Sequence, residues 1–314
     1  MNVLILSCGT RVKLLEYFKN SKDWNKVVAT DCSAEAPALL VADRPYLVPR
    51  MTEPGYLERI LEICQAEEID MVIPLQEDEL LLIADNLELF KKNNIKVAIS
   101  DREKIRLCKD KFLLSKELER LGFNAVKTYT ASEYLEQNNE GTDVFVKPRF
   151  GAGSVDTFHV TSRKLLEALI ESSEDELIVQ PAVKGQEYGI DIYVDMVSNE
   201  VINCFCKKKI RMRAGETEKS LSVIIPELEK TVADAVQALK LKGPLDMDVM
   251  EEDGKYYILE INPRFGGGYL HAYGCGVDFM KYLAVNADNR SNDVQRNNYK
   301  VNVLAMKYSD ILFG

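Results

Sequence analysis

Two histidines and one tryptophan are all of those types that 314 residues carry, and no Ser-His-Asp or Cys-His pattern of a nucleophilic enzyme stands out. Positive charge is also scarce: 40 Lys and Arg against 50 Asp and Glu leave a net charge of -10, which argues against nucleic acid as a partner. No apolar run approaches the ~20 residues that cross a bilayer, so no membrane association is expected. The opening Met1–Ser7 is too short for a signal peptide and lacks its basic region, and reads instead as a buried first strand. The seven cysteines are odd in number, scattered, and without Cys-x-x-Cys spacing, which suits reduced thiols in the cytoplasm. What is present is ordinary globular composition, 46% hydrophobic and 29% charged, which excludes a disordered chain. At roughly 100–200 residues per domain the length implies two or three.

Residues 1–100 alternate short apolar runs (3–7, 26–30, 46–48, 70–74, 96–99) with amphipathic segments (11–20, 54–67, 78–91), the pattern of a doubly wound parallel sheet. A long helix over 102–121, stopped at Gly122, leads into a small α/β module at about 123–183, with strands near 124–128, 143–147, 154–160 and 176–180. From Tyr188 the strands lengthen and read antiparallel (188–197, 201–209, 245–251, 255–261), with a helix over 227–241. The expected division is therefore 1–100, 101–185 and 186–314, with no repeat or low-complexity linker between the parts.

The segment 7–11 follows a strand and opens a helix, and Asp31 ends the next strand, as in a dinucleotide fold. One glycine stands where that fingerprint needs three, so a tight turn is the better reading. Arg11 begins a helix, where the dipole disfavours a cation; it is either solvated or kept for an anion.

The strongest chemical signal is a hairpin, 244–251 and 255–262, turning at Asp253-Gly254. With a three-residue loop from Glu252 to Gly254, Asp246 faces Glu260, Asp248 faces Ile258, and Asp248, Glu260 and Asn262 share one face. A two-residue loop would send Asp248 and Glu260 to opposite faces. Two carboxylates and an amide oxygen converging on an apolar strand call for a hard cation such as Mg²⁺, with Mn²⁺ able to replace it, sharing its shell with phosphates. A second signal runs from Val144 through Lys147 to Gly151, Gly153 and Ser154: a strand delivers a lysine, and a glycine loop then folds its N–H groups over phosphate. A plain hairpin loop would look the same. A third is Gln180, Ala182 and Val183 at the end of an apolar strand, able to meet an adenine edge, with Glu187 placed for a ribose.

Two segments are candidates for an acceptor pocket. The run 207–216 holds five cations within seven residues, of which Arg211 and Arg213 are the candidates to face phosphate or a carboxylate. The glycines of 265–271 would let the backbone approach a bound acyl phosphate, while His271 reads as a structural histidine in preference to a proton carrier.

In this order the motifs resemble the ATP-grasp superfamily, above all single-unit proteins like half of a carbamoyl-phosphate synthase large subunit. The resemblance implies an N-terminal doubly wound parallel-sheet domain, a small α/β lid domain and a C-terminal antiparallel-sheet domain. It implies ATP held by Lys111 and Lys147, an adenine hinge at Gln180, Ala182 and Val183, and ribose on Glu187. Magnesium would sit on Asp248, Glu260 and Asn262, with Arg264 facing the γ-phosphate or an acyl phosphate. Pro181 departs from the usual hinge, since it has no N–H to offer. The lid loop also has fewer glycines than many relatives. The implied activity is ligation of a small-molecule carboxylate to an amine or thiol through an acyl phosphate, releasing ADP and phosphate, in a homodimer formed through the leading domain. Other readings are a nucleotide-binding module or synthase subunit without its own catalysis, and a nicotinamide enzyme built on the first domain.

Overall fold

In the computed structural model the described residues are all but 138–141, 152, 154, 174, 175 and 214. The first sheet holds β1 (Asn2–Ile5), β2 (Lys26–Asp31), β3 (Arg44–Leu47), β4 (Met71–Ile73) and β5 (Lys96–Val97), all parallel in the order β3-β2-β1-β4-β5. Its apolar side chains alternate between two cores, as burial on both faces requires. Leu4, Leu6 and Val72 pack on helix Tyr56–Ala66 and on Phe90 on one side, and Val3, Ile5 and Ile73 on Leu14, Phe18 and Trp24 on the other.

The expected long helix is two, Arg102–Lys109 and Lys111–Arg120. Asp110 separates them because its carboxylate caps the second, accepting from the N–H groups of Phe112 and Leu113. The expected strand over 124–128 is also absent. That stretch runs beside the last hairpin strand instead, through one bridge from Ala125 to Ile258 and a bond from Val126 N–H to the Ile258 carbonyl.

The second sheet is antiparallel, in the order β6-β9-β7-β8, from β6 (Tyr129–Thr130), β7 (Val144–Pro148), β8 (Phe158–Val160) and β9 (Leu177–Pro181). The third has six antiparallel strands: β10 (Gln186–Val194), β11 (Val201–Arg213), β12 (Glu216–Val223), β13 (Gly243–Glu252), β14 (Lys255–Asn262) and β15 (Leu304–Met306), ordered β14-β13-β10-β11-β12-β15. One face carries Ile190, Ile192, Cys204 and Met247 onto helix Pro226–Leu239. The other meets the first sheet, where Tyr193, Phe205, Phe265, Tyr269 and Phe279 join Phe18 and Trp24 in a single core. Each such side chain stabilises the junction by about 1.5–3 kcal/mol, which fixes the third sheet against the first. All seven cysteines are free, and no described helix is long and apolar enough to cross a membrane.

Candidate functional site

The hairpin of β13 and β14 has a two-residue turn, with Asp253 and Gly254 both at positive φ, and not the three-residue loop expected. Glu252 pairs with Lys255 and Val249 with Ile258; the register then slips, so that Asp248 lies opposite Glu260 and Asp246 opposite Asn262. Leu259 is the inserted residue, a β-bulge that restores to one face the side chains a regular two-residue hairpin would have parted. The sequence carries the trace of it: Ile258 and Ile261 enter the same core, three positions apart where alternation demands two or four.

Around this face the structure gathers residues from three distant segments. A narrow cleft is lined by Lys111, Lys147, Pro148, Gly151, Gly153, Val155, Thr157 and Glu260. Lys111 opens helix Lys111–Arg120 and donates to the Gly151 carbonyl, while its own N–H bonds the Arg149 carbonyl at 3.3 Å. Arg149 clamps that loop to the helix pair, with two bonds to Asp110 at 2.6 and 2.8 Å and one to Glu176 at 2.6 Å. Gly151 and Gly153 take φ of 141° and 68°, conformations that side-chained residues adopt rarely. Ser154 lies outside the described residues.

Lys147, like Lys111, has no carboxylate within 4 Å among the described residues, and unlike Lys111 it has no hydrogen-bond partner among them either. Burial lowers its pKa, opposed by Glu260, reinforced by Lys111, and opposed again by Asp248 and Glu187. An ammonium desolvated in this way favours an arriving anion.

Lys209, which the sequence reading passed over for Arg211 and Arg213, joins Asp248 at 2.6 Å to Glu187 at 2.7 Å. It reaches across β10 because Gly189 leaves the path open: a Cβ there would sit 2.9 Å from Lys207 Cε and 3.2 Å from Lys209 Cε. Burial works against the Lys209 charge, but Asp248 and Glu187 outweigh it and hold its pKa above the ordinary value. Lys207 is likewise buried on Asp191. The signal was present, since alternation along 207–213 puts the lysines on the face of Asp248. Arg211 and Arg213 prolong that face into solvent, 61% and 76% exposed, and both pair with Glu218. The structure does not bring them to the cleft.

The metal candidates offer only oxygen. Asp248, whose pKa burial pushes up against the pull of Lys209, keeps one carboxylate oxygen on that lysine. Asn262 donates to Glu260 and Asp246 at 3.3 and 3.4 Å, both long, and rotation of its amide would present the oxygen instead. Among the described residues no three His, Cys, Asp or Glu form a self-sufficient metal cage. Two carboxylates and an amide fit a hard cation whose shell is completed by phosphate and water. Arg264 pairs with Glu77 at 3.2 Å and Asp246 at 3.9 Å, at the junction of the first and third sheets.

The hinge is less open than expected. Gln180 is buried and donates to Thr128 Oγ1 at 2.8 Å, and the Ala182 N–H is spent on the Asp143 carbonyl at 2.9 Å. His271 is structural: its Nε2 donates to the Val303 carbonyl and its Nδ1 accepts from Ser220. The loop after β1 is closed on itself, with Asp31 accepting from the N–H groups of Gly9 and Ser33, which leaves no place for a dinucleotide phosphate.

Residues 108–268, just over half the chain, match the family described as ATP-grasp domain, and residues 3–98 match the PylC-like N-terminal domain. The chain is 25% identical over 241 residues to the carbamoyl phosphate synthase arginine-specific large chain of Bacillus subtilis, covering 71% of this chain and 22% of that one. It is 28% identical over 178 residues to D-alanine–D-alanine ligase B of Clostridium perfringens, covering 50% and 57%. It thus spans about a fifth of the length of the carbamoyl phosphate synthase chains it matches. Among solved structures, N5-carboxyaminoimidazole synthetase from Staphylococcus aureus superposes with a TM-score of 0.76 at 16% identity, over 96% of this chain and 80% of that one. L-amino acid ligase from Bacillus licheniformis gives 0.70 at 18%, over 91% and 74%.

Proposed function

Because the chain belongs to the ATP-grasp family, we propose that it is an ATP-dependent ligase joining a carboxylate to an amine, or to a thiol, through an acyl phosphate. One observation carries this reading: Lys111, Lys147, Gly151, Gly153 and Glu260, far apart in sequence, line one cleft, with Lys147 lacking a partner in it. A decayed fold would have no reason to keep a half-buried, unpaired ammonium there.

In this reading Lys111 and Lys147 hold the nucleotide phosphates, and Gly151 and Gly153 let the lid backbone approach them. Glu187 takes the ribose, Val183 is the hinge position left for the adenine edge, and Ser154 belongs to the lid loop. Asp248, Glu260 and Asn262 would hold Mg²⁺, with Mn²⁺ as substitute, which neutralises phosphate charge when bound. Arg264 steadies the oxygens that pass from ATP to the acid. A carboxylate oxygen attacks the γ-phosphorus and ADP leaves; the amine then attacks the acyl carbon, phosphate leaves, and the ammonium proton goes to solvent. No protein nucleophile is needed, and the work is positioning and charge neutralisation. Arg211 and Arg213 are placed to act only at the solvent edge of the acceptor.

Trapping with hydroxylamine tests the reading. ADP release that depends on an added carboxylate and yields its hydroxamate supports it. Magnesium-dependent ATP binding without hydroxamate from any carboxylate favours the second reading, a subunit of a larger synthase, which the small share of the carbamoyl phosphate synthase chains recommends.

A further inference from the structure

Arg11 has no part in the reaction just described, yet it is half-buried. It stands between Arg264, Glu216 and Asp246. Its guanidinium packs on Gly267, where a Cβ would lie 3.0 Å from Nη1. Among the described residues it makes no ion pair and no hydrogen bond. The nearby acids are engaged elsewhere: Glu216 with Lys307 at 2.6 Å, and Asp246 with Arg264 and Asn262. Arg149, by contrast, is saturated by two carboxylates. Two neighbouring guanidiniums, one without a counter-ion, form a costly arrangement that an incoming anion relieves.

Arg11 opens onto a cavity of about 710 Å³ between the first and third sheets. Its walls include Val12, Leu14, Pro37, Tyr269, Met306 and Leu312. Gly266 in its wall packs so closely on the Asp246 carboxylate that a Cβ has no room, which sets the cavity against the acidic face of the hairpin. Bicarbonate has three oxygens and no apolar part, and would use almost none of this space.

We propose that Arg11 and Arg264 together grip the carboxylate to be activated and that the cavity receives its apolar body. The acid is therefore an organic carboxylate of amino-acid or dipeptide size, not bicarbonate. This rests on the ligase reading above, which it narrows.

The test is calorimetric titration of acetate, bicarbonate, 4-methylpentanoate, 3-phenylpropanoate and 3-phenylpropanamide into the protein with a non-hydrolysable ATP analogue and Mg²⁺. The expected result is at least tenfold tighter binding of 3-phenylpropanoate than of acetate, and none of the amide. Arg11→Ala should weaken the larger acids at least tenfold and Arg11→Lys should recover part of that. Met306→Trp, which adds bulk to the cavity wall and leaves the Arg11 side chain unchanged, should weaken the larger acids and spare acetate. Equal affinity for acetate and 3-phenylpropanoate, indifference to Arg11, or no binding of any acid would overturn the proposal. Arg11-dependent binding, with no ADP released when ATP replaces the analogue, would leave it standing and remove the ligase reading. ADP release driven by bicarbonate and unaffected by Arg11→Ala would do the reverse.

Discussion

The turn after β1 and the hairpin of β13 and β14 both gather carboxylates at the mouth of a sheet, and they differ in how those oxygens are used. Asp31 gives one oxygen to Gly9 and the other to Ser33, each at 2.8–2.9 Å. Glu260 receives only a long contact from Asn262, and the nearby Lys147 pairs with nothing within 4 Å among the described residues. The Asp31 carboxylate is fully satisfied as folded. The hairpin bears a cost that a bound cation and phosphate would offset. A motif-shaped loop is thus less informative than whether its donors and acceptors are already spent.

The contrast can be broken most severely at the bulge. Removing the oxygens it presents, in the double variant Glu260→Ala/Asn262→Ala, should weaken magnesium-dependent nucleotide binding a hundredfold or more, whereas deleting Leu259 itself leaves a regular hairpin with Glu260 still opposite Asp248 and should stay within tenfold; titration on variants whose melting curves show a folded protein decides it. Asp31→Ala should do the opposite, costing about 2 kcal/mol in urea unfolding through two orphaned amides while leaving nucleotide affinity within twofold.

His271 extends the satisfied class. Burial, with Lys207 nearby, lowers its pKa from 6.5 to about 4. The unfolded chain therefore takes up a proton at higher pH than the folded one, and stability falls as pH drops from 6.5 toward 4. Between pH 7.5 and pH 5 the loss should be about 1–2 kcal/mol in denaturant melts, and His271→Asn should flatten that slope. The smallest effect is expected of Gly189→Ala, about 1 kcal/mol, because the added Cβ meets the flexible ends of Lys207 and Lys209. Its sharper reading is a weakened Lys209–Asp248 pair, visible as a lowered Lys209 pKa in NMR titration.

Much of this fold was legible from periodicity: the five parallel strands, the hairpin and the lysine loop stand within a few residues of where alternation and turn residues put them. Asp110 was misread because a capping carboxylate within a helical pattern looks like an ordinary polar position until the break is seen. β12 and β15 were missed because the alternation of 216–223 is mostly polar, and β15 pairs with it 83–87 residues later. The hairpin face was anticipated for a wrong reason: the turn is one residue shorter than expected and the bulge one residue longer, and the two errors cancel at Glu260. Lys209 and Arg11 escaped because their meaning depends on a partner, or the lack of one, that only tertiary packing reveals.

The central claim, that nucleotide and metal meet on the hairpin face, is tested most directly by titrating ATP into wild type and Glu260→Ala, each with and without Mg²⁺. Binding should be strengthened by magnesium in the wild type and lose that magnesium dependence in the variant. Equal, magnesium-insensitive binding in both proteins, or none in either, would contradict it.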